Sequence, residues 1–105
     1  MIDELDGASL DEVLEIEDRA VLVQFWGPWC APCRALKPHL AKMAAEYADT
    51  WRMVAVNVEA DELVTRRWDV QSVPTLVMLR HGEELHRFAG AAVPSQIAEK
   101  LDQLA

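Results

Sequence analysis

Along this 105-residue chain, segments that are almost entirely apolar alternate with segments in which apolar residues recur at helical spacing. The near-continuous apolar run over residues 20–26 predicts a central strand that is covered on both faces, and residues 51–58 predict the next strand. A long helix over residues 32–48 is predicted between them, because apolar residues recur there at helical spacing: Leu36, Leu40, Met43, Ala44 and Tyr47.

Weaker signals predict the elements near the N-terminus. Residues 2–5 form an acidic strand candidate, and Ser9-Leu10-Asp11-Glu12 reads as a capping box with Ser9 as the N-cap. This box opens a short helix whose inward residues are Leu10, Val13 and Leu14.

Three further elements are predicted after the second strand. Asp61 can cap a short helix that reaches about residue 68. Strands at 75–80 and 84–89 flank His81-Gly82-Glu83, which has the glycine of a hairpin turn. Pro94 suits the first turn of a closing amphipathic helix. The order β-α-β-α-β-α-β-β-α predicts an α/β fold with a mixed sheet of five strands and four helices on its two faces.

The composition narrows the class of protein. With 51% apolar and 27% charged residues, the chain reads as one globular domain spanning residues 1–105. The net charge of −8 argues against nucleic acid or an anionic membrane as partners, because both need a basic surface. No apolar run is long enough to span a bilayer, and residues 1–6 lack a signal-peptide pattern. We therefore expect a cytoplasmic protein.

The two cysteines lie in Trp26-Gly27-Pro28-Trp29-Cys30-Ala31-Pro32-Cys33, between a predicted strand and a predicted helix. A Cys-x-x-Cys in that setting indicates a redox dithiol. The first helical turn would bring the sulfurs within bridging distance. Cys30 would stand at the helix N-terminus, where free N–H groups and the helix dipole favour a thiolate.

Two other uses of the cysteines are a structural disulfide and half of a zinc site. A zinc site needs two more ligands at suitable spacing, and His39, His81 and His86 provide no such pair. We expect these histidines to be solvated surface groups, with His39 directed away from Cys33. Of the tryptophans, Trp51 and Trp68 are expected in the core, Trp26 behind the dithiol and Trp29 partly exposed.

The chain resembles the thioredoxin family over essentially its whole length. The resemblance rests on the motif from Trp26 to Cys33, on Pro38 within the following helix, on Val73-Pro74-Thr75 before a strand, and on Gly82 and Gly90. It implies a thioredoxin fold and the reduction of disulfides in substrate proteins through a mixed disulfide. No bound cofactor is implied beyond a redox-active Cys30–Cys33 disulfide. The implied partners are substrate proteins and thioredoxin reductase, a flavin enzyme that uses NADPH, and we expect a monomer.

The resemblance also implies roles for particular residues. Cys30 corresponds to the attacking thiolate and Cys33 to the buried resolving thiol. Pro74 corresponds to a cis-proline beside the dithiol, and the backbone of Val73 would pair with an extended substrate segment. An apolar rim around the dithiol is formed by Trp29, Gly27, Pro28 and Gly90, and the supporting residues are Trp26, Pro32 and Gln24.

Three residues depart from the family pattern. Ala31 replaces a glycine between the cysteines, Gln24 replaces a buried aspartate beneath the dithiol, and Ala55 replaces the lysine that partners it. Glutamine cannot act as a base, so we expect the proton of Cys33 to leave through water or slowly. Loss of both charges together is coherent, because a lone buried charge would destabilise the fold.

Two other functions stay open at this point. The same fold could serve as a dedicated oxidant or thiol donor outside the cytosol, which would show as a high reduction potential. Alternatively, the chain could be a binding subunit of a larger assembly in which the dithiol is incidental. A variant lacking both thiols would then retain full binding.

Overall fold

The computed structural model of the protein describes residues 2–90 and 92–104. Within them, the secondary-structure elements follow the predicted order: β1 (Asp3–Glu4), α1 (Gly7–Ile16), β2 (Ala20–Trp26), α2 (Ala31–Glu46), β3 (Trp51–Asn57), α3 (Glu62–Arg67), β4 (Thr75–Arg80), β5 (Glu83–Ala89) and α4 (Pro94–Leu104). The predicted α/β architecture, a mixed sheet of five strands with four helices, is confirmed.

The strands form one sheet in the order β1-β3-β2-β4-β5. β1, β3 and β2 run parallel, whereas β4 pairs antiparallel with β2 and β5 antiparallel with β4. β2 is thus the central strand, as its continuous apolar sequence predicted, because its two faces are both covered and its two edges are both paired. Its last residue, Trp26, leads directly into the segment that contains the cysteines.

Helices cover the sheet on both sides, and each side has its own apolar core. One core lies under α2 and α4 and includes Leu36, Leu40, Ile97 and Leu101. The other lies under α1 and α3 and is centred on Leu10, Val21, Val23, Phe25, Val54, Val56, Val64, Val77 and Leu79. Alternate residues of β2 and β3 therefore serve opposite cores, and the even-numbered residues of β2 face α2.

The predicted start of α1 is wrong. Asp6, not Ser9, is the N-cap, and its carboxylate accepts a hydrogen bond of 2.8 Å from the Ser9 N–H. The helix begins at Gly7, whose N–H donates to the Asp61 carboxylate at 2.9 Å. A Cβ at position 7 would lie 2.9 Å from that oxygen, so glycine lets α1 approach the cap of α3 without displacing the Asp61 carboxylate. The cap is a local bond between residues three apart, and the contact of Gly7 with Asp61 joins the start of α1 to the start of α3.

The hairpin between β4 and β5 turns on two residues, His81 and Gly82, and β5 begins one residue earlier than predicted. Both turn residues have positive φ, 51° and 78°, the pairing that a two-residue turn of type I′ requires. The predicted hairpin is confirmed.

A cluster of charged side chains joins the residues just after α1 to the first residues of β1 and β3. Arg19 donates two hydrogen bonds of 2.9 Å to the Glu17 carboxylate, and Arg52 reaches both Glu17 at 3.5 Å and Asp3 at 2.6 Å. These bonds from Arg19, with the positive charges of Arg19 and Arg52, lower the pKa of Glu17 from 4.5 to about 2. The ionised form of Glu17 is therefore stabilised in the folded protein.

We expect the Glu17 carboxylate to make stability depend on pH. Because its pKa is lowered on folding, the contribution is complete above about pH 4.5 and is lost as the pH falls toward 2. Since Arg19 is partly exposed, we discount the contribution to about 1–2 kcal/mol. Urea unfolding should show Glu17→Gln less stable than the wild type by this amount at neutral pH, with the difference vanishing in acid. Glu12→Gln, an exposed carboxyl of the same helix, is the control, and an equal loss in both variants would contradict the assignment.

Candidate active site

The two cysteines lie at the junction of the β2–α2 loop with the first turn of α2. Cys30 is the N-cap of α2, and its sulfur accepts a hydrogen bond of 3.2 Å from the Cys33 N–H. Cys30 and Cys33 form a disulfide, with Cα atoms 5.3 Å apart. The predicted placement of both thiols in the first turn of the helix is confirmed.

This position favours a thiolate at Cys30 in the reduced protein. The Cys33 N–H points at the Cys30 sulfur, and the N-terminus of a 16-residue helix adds a favourable dipole there. Cys33 lies in the first helical turn and is 2% exposed, against 4% for Cys30. Both sulfurs are therefore buried in the disulfide form, and it is the hydrogen bond from the Cys33 N–H that distinguishes Cys30 from Cys33.

The loop before β4 packs against the dithiol segment. The Val73–Pro74 peptide bond is cis, as the resemblance implied. The carbonyl of Pro74 accepts a hydrogen bond of 2.9 Å from the N–H of Gly90, which has a φ of 87°. Thr75 pairs with Phe25 near the end of β2, so the sheet itself holds Pro74 close to the cysteines. Ala91, which follows Gly90, lies outside the described residues.

Two shallow apolar cavities flank the dithiol. The first, of about 250 Å³, is lined by Pro32, Ala35, Leu36, His39, Pro74, Ala92 and Pro94. The second, of about 310 Å³, is lined by Trp29, Val58, Glu59, Thr65, Val70, Gln71, Ser72 and Val73. Of the predicted substrate-binding residues, Trp29 and Val73 therefore share one cavity, and Pro74 lines the other with Pro32.

Trp29 is an exposed large apolar side chain on this surface. Its side chain is 64% exposed, as predicted, and a Cβ at position 27 would lie 2.8 Å from its indole ring. Gly27 is therefore needed for the ring to lie across the loop. Trp26 is half-buried, and Trp51 is buried in the core, both as predicted. Trp68 is only partly buried, beside the core under α1 and α3.

His39 lies next to the site, which the sequence analysis missed. It is exposed, as predicted, but its side chain lines the same cavity as Pro32 and Pro74. The prediction compared its spacing with Cys33, whereas the residue that shares its helix face is Pro32, seven positions earlier. That i, i+7 relation was the signal available in the sequence.

A third cavity, of about 260 Å³, lies behind the disulfide and is called the rear cavity below. It is lined by Glu4, Gln24, Trp26, Pro28, Cys33, Arg34 and Lys37. Gln24 is 5% exposed, and its Cα partner on β3 is Ala55, so the two departures from the family pattern are neighbours. Glu4 accepts a hydrogen bond of 3.1 Å from the indole N–H of Trp26.

Within residues 2–90 and 92–104, no three His, Cys, Asp or Glu side chains come together as a metal site would require. In the same part of the chain, no helix combines the length and the apolar character needed to cross a membrane.

Comparison with known proteins gives one consistent answer. The family model described as Thioredoxin matches residues 2–103. The chain is 35% identical to thioredoxin 1 of Synechococcus elongatus, over 93% of this chain and 91% of that protein. It is 38% identical to thioredoxin C-2 of Corynebacterium nephridii, over 88% and 84% of the two chains. The crystal structure of oxidized mitochondrial thioredoxin 3 from Saccharomyces cerevisiae superposes with a TM-score of 0.87 at 24% identity, covering 98% of this chain and 95% of that one.

Proposed function

The chain belongs to the thioredoxin family and is a thiol–disulfide oxidoreductase, and from this premise we propose that it is a cytoplasmic, general reductant of protein disulfides. The observation that carries the proposal is the placement of the dithiol. Cys30 caps a helix with the Cys33 N–H directed at its sulfur, and Cys33 is buried within bridging distance.

The reaction proceeds in two exchanges. The Cys30 thiolate attacks one sulfur of the substrate disulfide, which forms a mixed disulfide and releases the other substrate sulfur as a thiolate. Cys33 then attacks the Cys30 sulfur, the bond to the substrate breaks, and the Cys30–Cys33 disulfide forms. Two electrons pass from the dithiol to the substrate.

The substrate lies across the surface between the two flanking cavities. Its extended backbone pairs with the backbone of Val73, and its apolar side chains contact Trp29 and the rim at Pro74 and Gly90. Two features support this arrangement: the exposed indole of Trp29, and the hydrogen bond by which Gly90 is fastened to Pro74. Trp26, Pro32 and Gln24 support the dithiol from below and from the side.

The oxidised protein must be reduced again before it can act a second time. We propose that thioredoxin reductase supplies the electrons from NADPH through its flavin, and that the protein works as a monomer without a bound cofactor. The family assignment supports this cycle, and the accessible Trp29 surface offers one docking area for both substrate and reductase.

NADPH consumption in the presence of a thioredoxin reductase and a disulfide protein tests the proposed function. NADPH should be consumed steadily only when the chain, the reductase and the substrate are all present. A dedicated oxidant would instead be reduced readily and then fail to reduce the substrate, because its potential would lie well above that of the glutathione pool. That outcome would overturn the proposal of a general reductant.

A further inference from the structure

The second exchange of the proposed reaction leaves one proton unassigned. Cys33 must lose its thiol proton to become a nucleophile, yet its side chain is 2% exposed. The buried polar side chain that lines a cavity together with Cys33 is Gln24, and an amide cannot accept that proton. The proton therefore has to reach another group through the rear cavity, which Cys33 lines.

Few groups that line the rear cavity can titrate. β1 contributes Glu4, α2 contributes Cys33, Arg34 and Lys37, and β2 contributes the uncharged Gln24 and Trp26. Arg34 donates to the Pro28 carbonyl at 2.8 Å, and the Lys37 ammonium lies 6.0 Å from the centre of the Trp26 ring. Both cations lack an acceptor site for a proton, so the carboxylate of Glu4 is the base among these lining groups.

The sheet places Glu4 at this cavity through its register. Glu4 pairs with Ala55 on β3, and Ala55 pairs with Gln24 on β2, so the three residues form one row across parallel strands and share a face. The middle residue of the row has only a methyl group, and the residues on either side of it, Glu4 and Gln24, both line the rear cavity. The Trp26 indole N–H holds the Glu4 carboxylate at 3.1 Å. Glu4 is exposed to solvent on its other side.

We propose that Glu4 accepts the Cys33 proton through water in the rear cavity during the second exchange, an inference that rests on the proposed roles of the two cysteines. A cavity of about 260 Å³ has room for several waters, which would link the thiol to the carboxylate. The proton leaves Cys33, a water passes one to Glu4, and Glu4 releases it to solvent. The Cys33 electron pair forms the bond to the Cys30 sulfur, and the substrate sulfur departs with the pair of the broken bond.

The variant Glu4→Gln tests this inference with the full chain. Its amide oxygen can still accept from Trp26, so the contact that holds β1 is retained while the base is removed. The reduced protein is mixed with an aromatic disulfide that releases a coloured thiolate at each of the two exchanges. At neutral pH we expect the second release to slow by about tenfold, which is less than a directly contacting general base contributes, because water intervenes. The first release should be unchanged, since Cys30 does not use this cavity. Glu15→Gln, which removes an equal charge from the exposed face of α1, should match the wild type.

The pH profile separates proton transfer from a structural effect. The deficit of Glu4→Gln should shrink in the alkaline range, where hydroxide removes the Cys33 proton directly. A second release that is unchanged by the substitution, or slowed equally at every pH, would overturn the role of Glu4 while leaving the two-step reaction intact. Absence of a second release in the wild type would instead overturn the proposed division between Cys30 and Cys33, and the role of Glu4 with it.

Discussion

Replacing Cys30 with serine is expected to abolish the reduction of protein disulfides. A hydroxyl at the N-cap is not ionised near neutral pH, so the hydrogen bond from the Cys33 N–H and the helix dipole would have no thiolate to stabilise. Removing the nucleophile of a covalent enzyme lowers turnover by factors up to about 10⁶, and we expect at least about a thousandfold loss here. Precipitation of reduced insulin, or NADPH consumption with a reductase, measures the loss.

Cys33→Ser is the matched control for this substitution. It preserves the attacking thiolate and removes only the second exchange, so the protein should stop after one turnover as a mixed disulfide with its substrate. Non-reducing electrophoresis and mass spectrometry would detect that adduct, which Cys30→Ser should not form. Turnover by Cys30→Ser, or an adduct formed through Cys33, would contradict the assignment of Cys30 as the attacking sulfur.

The sequence predicts an element correctly where the apolar pattern of that one segment is enough to show which of its faces are buried. The strand at residues 20–26 was predicted at its observed bounds, because its apolar run, interrupted only by Gln24, is bounded by Arg19 and Gly27. The start of α1 was missed because two acceptors compete for it. Ser9 has the local pattern of a cap, but Asp6 makes the capping bond, and Gly7 in the first turn contacts Asp61, 54 residues away.

The site, like the fold, has one part that the local sequence predicts and another part that depends on contacts between distant residues. The dithiol could be placed from the sequence alone, since Cys30, Cys33 and the helix that positions them lie within one turn. The cis bond before Pro74 followed only from the family resemblance, because nothing in the residues around it requires that isomer. The link between Glu4 and Cys33 was out of reach, because it depends on the strand register that sets Glu4, Ala55 and Gln24 in a row.

That row also explains why a neutral side chain suits position 24. Gln24 is 5% exposed, and its neighbour Ala55 is 2% exposed and uncharged. A carboxylate at position 24 would therefore have no cation beside it in the sheet, and the two cations that line the rear cavity have other contacts, Arg34 with the Pro28 carbonyl and Lys37 near the Trp26 ring. Burial of a charge without a close partner destabilises a fold strongly. Gln24 and Ala55 are consequently a matched pair in physical terms, and changing one of them alone should be worse than changing both.

Gln24→Asp is accordingly expected to destabilise the protein by about 3 kcal/mol at neutral pH, the lower part of the range for an unpaired buried charge because the rear cavity admits water. Burial raises the pKa of the introduced carboxyl above its value in the unfolded chain. The folded state then binds the extra proton, so stability should fall as the pH rises through the interval between the two pKa values and recover in acid. Urea unfolding of the oxidised protein across this range measures the effect.

The double variant Gln24→Asp, Ala55→Lys identifies the cause of that loss. A lysine in register with the aspartate restores a partner for the charge, and we expect it to recover about half of the lost stability and to flatten the pH dependence. Ala55→Lys alone should be destabilising to a smaller extent than Gln24→Asp, because its ammonium would have an amide on one side and the Glu4 carboxylate on the other. The four proteins form a double-mutant cycle in which a coupling energy near zero would contradict a direct charge pair. If Gln24→Asp were as stable as the wild type at every pH, water in the rear cavity would already solvate position 24. A carboxylate at that position would then be tolerated, and the neutrality of Gln24 would need a cause other than burial.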